Sequence, residues 1–204
     1  MADFRRQQSA SRGQLQELRD EQKVVREGFE FLEQKRMLIA AEIMRELRRH
    51  QALYQAFSAS HADAITALGR AIGFHGLEGV QVYPPRPFAD GSLSFAERRF
   101  LDLRLIDAET QGAAVDRSRP AELPSIEAEL CAEAFRMLID GAARMAAIAT
   151  SIARLLEDYR KTERRARALE NVILPEIDDT VKDFEDQLEA MDQEDAIRVR
   201  MRRS

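Results

Sequence analysis

Apolar residues recur along the first part of the chain in alternating steps of three and four. Leu15, Leu18, Gln22, Val25, Phe29, Leu32, Arg36, Ile39, Ile43, Glu46, His50, Leu53, Phe57, Ser60 and Ala64 form one such series, and ten of the fifteen are apolar. A repeat of seven held this long predicts a helix that winds left-handedly about a partner. Helices of ordinary globular domains seldom keep the pattern beyond ~25 residues. At ~1.5 Å per residue, positions 15–72 would span roughly 87 Å.

A second series answers the first. Leu138, Gly141, Met145, Ile148, Ile152, Leu155, Tyr159, Thr162, Ala166, Leu169 and Ile173 keep the same alternation. The steps then lengthen to four through Ile177 and Val181, before Phe184, Leu188 and Met191 resume the pattern. Consecutive steps of four are a stutter, which locally unwinds a supercoil. Pro175 lies inside it and lacks the N–H that a helix interior needs, so a kink or a loosened turn is expected there.

Breakers crowd between the two series. Pro84, Pro85, Pro87, Pro120 and Pro124 are five of the six prolines, and Gly73, Gly76, Gly79, Gly91 and Gly112 share the window. The expected organisation is an N-terminal shaft helix over 1–73, a small head over 74–124 and a C-terminal shaft helix over 125–204. Within the head, Leu77, Val80, Val82 and Tyr83 suggest one short strand, and the alternation of Phe100 to Ile106 suggests another. A lone two-stranded hairpin is marginal in water, so it must lean on the helices or on another protein. The fold class read from these patterns is mainly α: a long antiparallel two-helix coiled coil with a small central head that contains a β-hairpin.

Composition agrees. The chain has 204 residues, 45% hydrophobic and 33% charged, with no Trp, 9 Gly and 6 Pro. That suits an ordered, soluble, helix-rich protein and argues against an all-β sandwich. The single cysteine, Cys131, cannot form an internal disulfide and points to a reducing compartment. No secretory signal is visible at the N-terminus, and no run approaches the ~18 apolar residues of a membrane span. The net charge of -5 conceals a polarised end: Glu176 to Asp195 holds ten acids against Lys182 alone, and Arg198, Arg200, Arg202 and Arg203 follow.

The chemistry of enzymes is missing from this pattern. There is no phosphate-cradling glycine loop, no H-E-x-x-H, no CxxC and no nucleophile elbow, so no catalytic, cofactor-binding or metal site is expected. Glu46 and His50, four apart, supply only two metal ligands and read better as a polar layer that sets register. His61 and His75 stand isolated, and Cys131 reads as a small buried hydrophobe. Asp178 and Asp179 read as part of a solvated face. Arg160, Lys161, Arg164, Arg165 and Arg167 form a basic cluster, but Glu157, Asp158, Glu163 and Glu170 interleave with it, which argues against nucleic acid.

Two local motifs are more specific. Gly28, the pair Phe31-Leu32 and the pair Lys35-Arg36 resemble the first-helix motif of the D subunit of V-type rotary ATPases and ATP synthases. The run from Arg164 and Arg165 through Leu169, Glu170, Asn171 and Pro175 to Lys182 resembles the signature of that family's last helix. A mid-helix proline, odd in a generic coiled coil, is expected there. Met37 and Arg167 depart from the family pattern, which often has Asp and Asn at those places.

The resemblance implies a non-catalytic central rotor stalk. It would turn within a hexamer of A and B subunits, carry the small F subunit, and seat in the funnel-shaped C/d subunit on the membrane ion ring. Torque would couple ATP hydrolysis or synthesis to proton or sodium transport. The implied location is cytoplasmic and peripheral to the membrane, without direct insertion. In an antiparallel hairpin Arg5, Arg6 and Arg12 would join Arg198, Arg200, Arg202 and Arg203 in a basic rotor tip. The alternative is a generic coiled-coil adaptor or tether with no ATPase partner.

Overall fold

The computed structural model of the protein describes residues 11–83, 93–110 and 124–203. Helix α1 runs Arg12–Val82, strand β1 Leu93–Phe100, strand β2 Leu103–Thr110, helix α2 Ile126–Ala168 and helix α3 Leu174–Arg203. A π turn, Leu169–Ile173, joins α2 to α3. The fold is an antiparallel two-helix coiled coil with a β-hairpin inserted between its helices. It divides into two compact units, one drawn from residues up to Ala40 and from Asp158 onward, the other from Ala41–Glu157.

Both long helices start on a side-chain cap. At α1 the Gln14 amide N–H donates to Ser11 Oγ at 3.2 Å, while Gln14 Oε1 accepts from the Ser11 amide at 3.2 Å. This reciprocal box satisfies donors that a helix start would otherwise leave open. At α2 the Ala128 amide donates to Ser125 Oγ at 3.1 Å, and Glu127 and Glu129 place acid in the first turn, where the helix dipole favours it. Within α1 the helix is broken at Gly76, whose φ of 73° is open to glycine but strained for other residues.

In the unit of the two chain ends, a ladder across the helices runs Arg12–Asp192, Arg19–Glu185, Arg26–Asp178 and Lys35–Asp158, ascending in one helix as it descends in the other. Beneath it Leu18, Ile177, Val181 and Phe184 form a buried cluster, flanked by Leu15, Val25 and Leu188. All fifteen positions of the first predicted series are buried or half-buried. In the other unit the core holds Ile43, Ala64, Ala71, Ala147, Ile148 and Leu155. Gly141 lets the helices approach, since a Cβ there would stand 3.2 Å from Phe57 Cδ2.

The second series needs two corrections. Ile173 is 37% exposed, and Leu174 takes the half-buried place in its stead. The stutter is absorbed by the π turn, in which the Leu174 amide bonds the Leu169 carbonyl five residues back. One extra residue in that turn moves the seam from Ile173 to Leu174. Met191 is also exposed, beside Asp192, which pairs with Arg12.

The wider turn also accommodates Pro175, whose ring would otherwise press on the Asn171 carbonyl. A Pro175→Ala variant should therefore gain about 1 kcal/mol, well short of the ~3 kcal/mol of an unrelieved helix proline, and should keep its π turn. Melting followed by helical circular dichroism measures the gain. A gain near the full figure would mean that the turn relieves nothing.

The hairpin also departs from expectation. Leu77 to Val82 continue as helix beyond Gly76 and form no strand. The predicted strand over Phe100–Ile106 is cut by a two-residue turn at Leu101–Asp102, and the strands lie to either side. They pair antiparallel with Phe100 opposite Leu103, Arg98 opposite Leu105 and Ala96 opposite Asp107. Leu101 takes a φ of 50°, unusual for a residue with a branched side chain, and it is no typical turn former.

Candidate functional site

The family-like motif residues fall within the unit of the chain ends. Gly28 faces Leu169 across the helices, where an added Cβ would meet Leu169 Cδ1 at 4.0 Å, an ordinary contact. Leu32 is half-buried in the seam. Lys35 Nζ lies 3.3 Å from Asp158 Oδ2 in a largely buried ion pair. Arg36 turns back on its own helix to Glu33 at 2.7 Å. Of the last-helix motif, Leu169, Glu170 and Asn171 form the first part of the π turn, and Pro175 follows it on the exposed side. Arg164 donates to the Arg160 carbonyl, and Arg165 projects outward. The structure thus joins Gly28 to Leu169 and Lys35 to Asp158 and sets Leu32 in the seam, while the remaining motif residues face outward or pair locally.

The basic tip is partly described. Arg5 and Arg6 lie outside the described residues. Arg12 reaches across to Asp192 at 3.0 Å. Arg198 pairs along its own helix with Glu194 at 3.6 Å and Asp195 at 3.8 Å. Arg200 and Arg202 are exposed, and Arg203 is the last residue of α3.

A second concentration of charge lies where the hairpin meets α1 and α2, and sequence reading did not find it. Glu42 and Glu46, one turn apart on α1, are both buried. Arg98 of β1 donates to Glu42 Oε1 at 2.6 Å and to Glu46 Oε1 at 3.0 Å. Arg45 approaches the same two carboxylates from α1. Arg49 pairs with Asp107 of β2 at 2.7 Å. The bond to Asp107 holds the Arg49 guanidinium more firmly protonated than usual, against the opposing effect of burial. The Ile106 amide donates to Ser151 Oγ at 2.8 Å, and that hydroxyl donates to the Ile106 carbonyl at 3.1 Å. Arg154 donates to the Arg104 carbonyl at 2.7 Å. Side chains of α2 therefore satisfy the outer edge of β2, as a third strand would.

Glu46, the better half of the Glu46/His50 pair, is thus held by arginines. Among the described residues no group of three or more His, Cys, Asp or Glu side chains gathers in metal-binding geometry. His75 is not isolated: its Nε2 lies 2.6 Å from Ser125 Oγ, and its ring meets those of Phe74 and Tyr83 edge-on. Cys131 is buried, and burial pushes its thiol pKa up, which disfavours the reactive thiolate. No described helix is long and apolar enough to cross a membrane.

Comparison with known proteins agrees with the motifs. The family of the ATP synthase D subunit matches residues 14–204. The V-type ATP synthase D subunit of Thermotoga neapolitana is 27% identical over 195 residues, which cover 93% of this chain and 94% of that relative. The V-type ATP synthase D 2 subunit of Treponema pallidum is 27% identical over 197 residues, 90% of this chain and 88% of its own length. The A-type ATP synthase D subunit of Thermococcus kodakarensis is 33% identical over 97 residues, 47% of this chain and 45% of its own. Two paired helices that carry both motifs, matched along nearly their whole length, make this chain a member of the ATP synthase D-subunit family.

Proposed function

We propose that this protein is the central rotor stalk of a V-type or A-type ATPase or ATP synthase. It transmits torque and performs no chemistry of its own. The observation that carries the reading is the family match over residues 14–204, together with the antiparallel helix pairing in each unit. Torque applied to a single helix twists it, whereas two helices locked by interdigitated seams and cross-helix ion pairs resist relative sliding. The shaft is taken as residues 1–73 and 125–204, with the head over 74–124, and the break at Gly76 supports a boundary close to the first of these limits.

The partners in this reading are a hexamer of A and B subunits, the small F subunit, and a funnel-shaped subunit that joins the stalk to the membrane ion ring. Rotation couples ATP turnover to movement of protons or sodium ions. The protein works on the cytoplasmic side, held at the membrane through the complex. Co-expression with candidate A, B and F subunits, followed by native mass measurement, tests the proposal. A complex with three copies each of A and B and one copy of this chain supports it. A chain that dimerises or stays alone in their presence favours an adaptor instead.

The basic tip is proposed to meet acidic surfaces of the hexamer in turn as the stalk rotates. Replacing Arg198, Arg200, Arg202 and Arg203 together by Glu should weaken assembly or uncouple ATP hydrolysis from ion movement. The end of α3 lies beyond the seam, so the variant should keep its fold, with helical content lowered by no more than the last turns, where Arg198 loses its pairs with Glu194 and Asp195. Unchanged rotation and ion pumping would remove the tip from the mechanism.

A further inference from the structure

We infer that the β-hairpin is a detachable clasp, which unfastens from α1 and α2 as one piece while the helix pair beneath it stays folded. The clasp follows from how the hairpin is held and does not depend on the rotor reading.

Much of its attachment is polar. Arg98 bridges Glu42 and Glu46, Arg49 holds Asp107, Ser151 makes two bonds to the Ile106 backbone, and Arg154 holds the Arg104 carbonyl. Against these, among the described side chains of the hairpin, stand Leu105 and Ala108, which are buried, and Phe100, Leu103 and Ile106, which are half-buried. Among the described residues the sheet has only these two strands, so the hairpin has little reason to stay ordered once undocked. Docking and ordering of the hairpin are therefore one event.

Three features keep that event near balance. Glu46 is 1% exposed, and its Oε2 has no hydrogen-bond partner, so docking leaves a carboxylate oxygen poorly solvated. Arg49 Nη1 is its near cation, at 3.8 Å. Second, Leu101 closes the hairpin in the left-handed region, a strain that the free chain does not carry. Third, the attachment is a cluster of three carboxylates (Glu42, Glu46, Asp107) and three guanidinium groups (Arg45, Arg49, Arg98). Opening returns these charges to water and dissolved ions, which compensates much of what is lost. Ile43, Ile148 and Leu155 are buried at seam positions of α1 and α2, and the clasp requires that they stay packed when the hairpin leaves.

Hydrogen exchange on the full chain, read by mass spectrometry, tests the clasp. Peptides from 93–110 should exchange on the order of 100-fold faster than peptides covering Ile148–Leu155, the mark of sub-global opening. Raising the salt from about 0.05 M to about 0.5 M should speed hairpin exchange by roughly 3- to 10-fold and leave the helix peptides unchanged. Arg98→Ala should abolish hairpin protection with the helix peptides unaltered, and Arg98→Lys should restore part of it. Leu101→Gly, which relieves the turn, should slow hairpin exchange. Equal exchange of hairpin and helix in the parent, or a parallel response of both to salt, would overturn the inference. An Arg98→Ala chain that loses its helices would overturn it too, since the hairpin would then belong to the global core. The salt series on the parent chain stands independently of every variant.

Discussion

Replacing Leu155 by alanine is expected to lower the stability of the chain by about 2–5 kcal/mol. Leu155 has 0% exposure and lies on the seam face of α2. The substitution removes buried methyl groups and leaves a cavity whose walls, two helices of fixed backbone, cannot easily close. Its neighbour supplies the control. Leu156 has the same side chain but is 37% exposed, so Leu156→Ala should change stability by less than about 1 kcal/mol. Urea denaturation followed by helical circular dichroism compares the two. Equal losses would mean that the seam does not run where the three-four alternation puts it.

Phe184→Ala should cost about 3–5 kcal/mol, by the same physics applied to a larger side chain. Phe184 is 4% exposed and packs with Leu18, Ile177 and Val181 in the unit of the chain ends. That cluster is small, and of its apolar neighbours only Leu15, Val25 and Leu188 flank it, too few to fill the space a phenyl ring leaves. Phe31, 65% exposed, is the matching control, and Phe31→Ala should leave stability within about 0.5 kcal/mol. Thermal melting of the two variants should therefore diverge. A mild Phe184→Ala loss would place the stability of that unit in its surface ion ladder, a weak source for exposed pairs.

The two long helices were legible because a coiled coil writes its partner into each strand of sequence. The heptad series from Leu15 to Ala64 needs no knowledge of α2 to announce a buried stripe, and every member of it is buried or half-buried. The disturbance at Pro175 was legible for the same reason: steps of four cannot keep one face without unwinding. Its form was not. Whether the helix kinks or widens depends on which residue the facing helix accepts, and it accepts Leu174 in place of Ile173.

A hairpin between the two helices was legible, but its strands were misplaced, and for a definite reason. Its inward face carries Arg98 and Asp107, so the strands lack a clean apolar alternation, and the turn at Leu101–Asp102 lacks a turn former. The partners that make Arg98 tolerable inside, Glu42 and Glu46, stand more than fifty positions earlier, among seam residues where they read as a polar interruption.

By itself, then, the amino-acid order determined the helical class, the antiparallel seams, the site of the stutter and the family motifs, because each is a periodic or local property of one segment. Only the tertiary structure decided where β1 lies, which residue fills the seam at the π turn, and what Glu46 is for. Those outcomes depend on side chains and backbone groups meeting across long sequence separations, and a segment records that it has a buried face but not which distant charge or backbone group will meet it.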